Sequence, residues 1–72
     1  MHADSDHILQ ARRHVAEAEQ RITQQRERVE ELRRDGHEAS AQSGERLLAV
    51  FEKTLQLMRE HLEYEEQQSR AG

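Results

Sequence analysis

The 72-residue chain has no cysteine, no proline and no tryptophan, and only one tyrosine and one phenylalanine. Without cysteine it has no disulfide, no thiolate metal ligand and no cysteine nucleophile. Without proline, nothing locks φ or removes a backbone donor inside a helix. Glycine is confined to positions 36, 44 and 72, so no glycine weakens a helix over the first 35 residues. Long apolar runs are missing too. The longest, Leu47 to Phe51, falls far short of the ~20 residues a membrane span needs. The opening Met1-His2-Ala3-Asp4-Ser5-Asp6 has no basic stretch followed by an apolar one. No secretory signal is expected, and a cytoplasmic location is the default.

What remains is polar. Hydrophobic residues make up 33% of the chain and charged residues 36%, a balance that permits disorder when charges of one sign dominate. Here the signs are interspersed and the formal net charge is only −4. Strong helix formers (Ala, Leu, Glu, Gln, Arg) supply most positions, and the few apolar residues are strictly periodic. Ile8, Val15, Ile22 and Val29 recur every seven residues, each followed three residues later by Ala11, Ala18, Gln25 and Leu32. That is the seam of a coiled-coil-like helix. Leu48, Leu55 and Leu62, interleaved with Phe51 and Met58, form a second seam, which Ala41 and Gly44 extend backwards.

Between the seams, Arg33-Arg34-Asp35-Gly36 reads as a helix end. The arginines suit the negative end of the helix dipole, and glycine suits the left-handed residue that follows a helix. The expected organisation is a single helical-hairpin domain spanning 1–72. Helix one covers about 6–35 after a frayed leader, with Ser5 or Asp6 as N-cap. A turn follows at 36–40, then helix two over about 41–68, capped by Ser40 or Ser43, before a frayed tail. The expected fold class is all-α, an antiparallel two-helix hairpin that dimerises into a four-helix bundle.

Two registers compete. One sets Ile22 on Phe51, Ala18 on Leu55, Val15 on Met58 and Ala11 on Leu62. The other sets Val29 on Phe51 and Leu32 on Leu48, but Val15 on Glu65 and Ala11 on Ser69. The opposite charges Arg33–Glu45, Arg26–Glu52, Glu19–Arg59 and Arg12–Glu66 suggest the second. A buried large apolar side chain contributes roughly 1.5–3 kcal/mol and an exposed ion pair about 0–1, so the first is preferred. On that reading the charges meet diagonally or across a subunit boundary.

The expected intramolecular core is Ile8, Val15, Ile22, Val29, Leu32, Leu48, Phe51, Leu55, Met58 and Leu62. Helix two is apolar over a wider arc than one partner covers. Val50, Leu57 and Tyr64 form a further seven-residue series, and Leu47 widens it again. A stripe broader than one neighbour implies a second neighbour, so these four residues are the expected self-association interface of a homodimer.

Candidate chemistry is sparse. His7 and His14 share one flank of helix one and His61 the matching flank of helix two, with Glu17 and Glu65 within a turn. His14 and His61 are therefore candidate ligands for zinc or a similar ion, in a small metal- or ligand-responsive bundle. Bundle metal sites, however, use inward Glu-x-x-His pairs from several helices. The nearest approach to that motif, Met58-Arg59-Glu60-His61, has its glutamate at the wrong spacing and places Glu60 on the outer face, so no metal and no cofactor is expected. His2 and His37 read as tail and turn residues, and Glu65 as the solvent end of the second seam. Gln25, the polar residue of the first seam, either fixes register or lies flat with its amide in solvent.

Seven arginines in helix one are balanced by seven acids between Asp6 and Asp35, so no basic face exists for nucleic acid. The polar faces are not enriched in positive charge, and no membrane-surface role is expected. Catalysis needs a pocket that positions an activated pair, which a slim bundle does not offer, and no enzyme is expected. The expected role is a self-associating interaction module, a homodimer with an unidentified protein partner.

The run Arg13-His14-Val15-Ala16-Glu17-Ala18-Glu19-Gln20-Arg21-Ile22, the turn Asp35-Gly36-His37-Glu38 and the segment Leu47-Leu48-Ala49-Val50-Phe51-Glu52 resemble a group of small bacterial helical-hairpin proteins of unassigned activity. In that group a His-Val-Ala-Glu opening and a Gly-His-Asp turn flank two helices. The resemblance covers roughly residues 13–60 and rests on helix and turn chemistry, so it implies the hairpin fold and no activity. Here Glu38 replaces the aspartate and the next hydroxyl is shifted to Ser40, which leaves the second N-cap open.

Overall fold

The computed structural model describes residues 2–71, with side chains from 6 to 70. Two helices account for nearly all of it, α1 over His2–Arg34 and α2 over Glu38–Ala71. They fold back antiparallel into a rod measuring 54 × 15 × 12 Å. Neither helix is long and apolar enough to cross a membrane.

Both helices are longer than the sequence suggests. α1 is already helical at His2, because neither proline nor glycine interrupts the backbone ladder ahead of Ile8. It therefore passes through Ser5 and Asp6, the expected caps. Met1 lies outside the described residues. α2 starts at Glu38 instead of 41, and it runs on to Ala71.

The turn explains that early start. Gly36 has φ +82°. The His37 amide donates to the Leu32 carbonyl at 2.8 Å, and the Gly36 amide donates to Arg33 at 3.1 Å. This pair of bonds is the Schellman motif, with Gly36 as its left-handed residue. The His37 carbonyl then accepts from the Ala41 amide at 2.9 Å, the first bond of α2. His37 is thus the N-cap, and Ser40 and Ser43 lie inside the helix. Arg33 in the last turn of α1 bonds Glu38 at 3.3 Å and Glu45 at 2.6 Å, tying the two helix ends together. These hydrogen bonds to Glu45 and Glu38 raise the pKa of the guanidinium.

Along the seam Ile22, Val29, Ala41 and Leu55 are buried. Ile8, Ala11, Val15, Ala18, Gln25 and Leu32 on α1 are half-buried, as are Gly44, Leu48, Phe51, Met58, Leu62 and Glu65 on α2. Val29 lies against Gly44. Stepping by sevens along both helices from that contact brings Ile22 level with Phe51 and Val15 level with Met58. Gln25 does not turn its amide to solvent. Its Nε2 donates to the Gly44 carbonyl at 3.1 Å, in a partly buried setting.

All four charge pairs form within this one register, and within one chain. Arg33–Glu45 and Arg12–Glu66 meet at 2.6 Å, Arg26–Glu52 at 2.7 Å, and Arg59 bonds Glu19. The charges therefore do not favour the alternative register. In an antiparallel pair, residues that flank the seam on one edge each follow a core residue on their own helix. Because the chains run oppositely, their partners lie further along than the core register implies. Arg26, level with position 47 by core counting, reaches Glu52 instead.

Candidate functional site

The hairpin has two unlike edges. One carries the ion-pair ladder, where Glu19, Arg26, Glu52 and Arg59 flank a shallow furrow over Ile22 and Leu55. The other edge has no such ladder among the described residues. Its groove is lined by His14, Glu17, Ala18, Arg21, Phe51, Thr54 and Met58, and it continues past Ala11, Leu57 and His61. The cause lies in α1, where Ala11 and Ala18 end at Cβ and leave part of Phe51 and Met58 uncovered.

On α2 beside this groove, Leu47, Val50, Leu57 and Tyr64 are 45%, 58%, 53% and 58% exposed. Spaced by sevens, Val50, Leu57 and Tyr64 lie in one row along the helix. Leu57 borders the groove directly. Leu9, which the periodic reading passed over, is 57% exposed. It follows the seam residue Ile8, which sets it toward the ladder edge of α1, away from the α2 row.

The open end of the hairpin holds a second cluster. His7 Nε2 lies 3.9 Å from Glu65 Oε1, and His61 Nε2 lies 3.5 Å from the same oxygen. One ligand atom from each of the three residues falls within 4.8 Å of the others. His14 and His61, the candidate ligands by sequence, line one stretch of the groove, with core counting setting His14 level with position 59. The carboxylate beside His61 is, however, met by His7, because residues on this edge precede core positions and their partners lie earlier on α2. His14 shares the groove wall with Thr54 by the same offset. The pair is found when the partner of His7 is counted with the axial offset of this edge and not with the core register.

Comparisons with protein-family models, with curated proteins and with solved structures give no match.

Proposed function

We propose that the chain is a small self-associating helical module, in which the groove edge of one hairpin covers that of a second copy in a homodimeric four-helix bundle. The surface area carries this reading. The chain exposes 5741 Å², whereas a folded monomer of its 8.5 kDa mass exposes about 4,700 Å². The excess of about 1,000 Å² exceeds the ~800 Å² per partner of a standard interface. A single layer of two helices fully buries only Ile22, Val29, Ala41 and Leu55 of its seam and leaves the rest half-buried, and domains generally need a second layer.

The distribution of polarity supports a second copy as the occupant. The ladder edge is saturated with charge pairs, whereas the opposite edge pairs an apolar row (Val50, Leu57, Tyr64) with a groove floored by Phe51 and Met58. Ridge and groove on one face are self-complementary, as a two-fold interface requires. The polar faces left outside then serve as a non-catalytic docking surface for another protein.

Sedimentation equilibrium tests this reading. The wild type should be a dimer at micromolar concentration, and Leu57→Glu, which desolvates an unpaired carboxylate on association, should shift it to monomer. A wild-type monomer at high micromolar concentration would overturn the proposal.

A further inference from the structure

We propose that His7, His61 and Glu65 form a zinc-type divalent metal site that clips the open end of the hairpin, holding the start of α1 to the end of α2. The separations carry the argument. At 3.9 and 3.5 Å, the two imidazole nitrogens stand beyond the 2.7–3.2 Å of an N–H···O bond to Glu65. Two ligands bound at 2.0–2.1 Å to one tetrahedral ion stand about 3.4 Å apart. Both nitrogens thus stand closer to co-ligand spacing from Glu65 Oε1 than to hydrogen-bond spacing, and each of the three residues offers a ligand atom within 4.8 Å of the others, a gap that a modest side-chain movement closes. Two imidazoles and one carboxylate are also a donor set that zinc and its neighbours in the divalent series accept.

The surroundings fit the same use. Glu65 occupies a seam position level with Ile8, where the pattern otherwise places apolar residues, and its side chain is only 30% exposed. On the ladder edge, Arg12 is held by both Nε and Nη2 on the neighbouring Glu66. Among the described ion pairs, the only cation-forming groups that Glu65 meets are the two imidazoles. His61 and Glu65 are one turn apart on α2, so the helix itself holds two of the three ligands on one face. His7 and His61 side chains are 58% and 62% exposed, which leaves them free to close the remaining gap by rotamer change. It also leaves the fourth coordination position to water. The site lies within one chain and does not depend on the pairing of two copies.

Zinc chloride titrated into the chelator-treated full chain tests the proposal, by calorimetry and by thermal melting at fixed protein concentration. One zinc should bind per chain, raise Tm by several degrees and perturb the side-chain NMR signals of His7 and His61. His7→Ala, His61→Ala and Glu65→Gln should each weaken binding at least tenfold, with the apo helicity of every variant checked by circular dichroism. His14→Ala, outside the trio, should bind as the wild type does. Absence of binding heat and of any Tm change would overturn the site. So would wild-type affinity in His61→Ala, or an equal loss in His14→Ala. Half a zinc per chain, accompanied by larger species, would mean that the ion bridges separate copies and would overturn the clip.

Discussion

Val29 fills the space that a side chain at position 44 would need: its Cγ2 lies 2.8 Å from where a Cβ on Gly44 would sit. The Gln25 amide, 3.3 Å from the same point, bonds the carbonyl that the missing side chain leaves open. Glycine inside a helix costs roughly 0.5–1 kcal/mol against alanine, so its presence here reflects close approach of the two backbones near the turn.

Gly44→Ala should therefore destabilise the protein despite its better helix propensity. Overpacking costs typically 1–3 kcal/mol, and valine in a helix has essentially one rotamer with which to yield. The expected net loss is about 1 kcal/mol by urea denaturation. Val29→Ala should cost less in the Gly44→Ala background than in the wild type, because the two sites share one space. Strictly additive losses would show that they do not touch.

Gly36 tests a different term. A Cβ there would meet nothing within 4 Å, yet φ is +82°. The cost of substitution is therefore in the backbone alone. Gly36→Val should lose about 1–2 kcal/mol, and Gly36→Asn distinctly less, since asparagine tolerates the left-handed region. Equal losses for the two would point to packing and not to conformation.

The ladder should matter little to total stability. Arg26 and Glu52 are both about half exposed, and such pairs typically couple by only a few tenths of a kcal/mol. A double-mutant cycle with Arg26→Ala and Glu52→Ala should return a coupling below about 1 kcal/mol that shrinks as salt is raised. A coupling well above that, insensitive to salt, would mean that the pair is desolvated in solution.

Leu57 and Leu9 are exposed to nearly the same extent, 53% and 57%, but flank different edges. If the groove edge is the face that pairs, Leu57→Glu should dissociate the dimer while Leu9→Glu leaves its sedimentation unchanged. A shift of the same size in both variants would indicate unspecific apolar association, which single exposed residues do not usually support.

The heptads made the two helices and the residues along their seam readable, because Ile8 to Leu32 and Ala41 to Leu62 keep a strict three–four alternation that only a helix converts into one stripe. The edges were harder. Core counting places Arg26 level with position 47 and His14 level with position 59, but flanking residues are displaced along the axis in opposite senses on the two edges. The Arg26 partner Glu52, and Thr54 on the groove wall that His14 lines, emerge only when each flank is counted from its own seam residue. Ser40 and Ser43 are good caps by composition, yet the Schellman bond from His37 to Leu32 passes the chain straight into α2. Such a reversal leaves no loop for those serines to end. The His7–His61–Glu65 cluster was obscured by the same axial offset, not by any weakness in its residues.

The ladder also marks how far apart in the chain the facing positions of the hairpin lie, and that separation favours an order of assembly. Arg26–Glu52, Glu19–Arg59 and Arg12–Glu66 join residues 26, 40 and 54 positions apart, so each successive rung closes a longer loop from the Gly36 turn. Loop closure grows costlier only slowly with length, by about 0.6 kcal/mol per doubling, and every rung shortens the effective loop for the next. Such a chain closes like a zip from the turn outward and opens in the reverse direction. Amide exchange should accordingly be slowest near Val29 and Leu48 and quicken steadily toward Ile8 and Leu62.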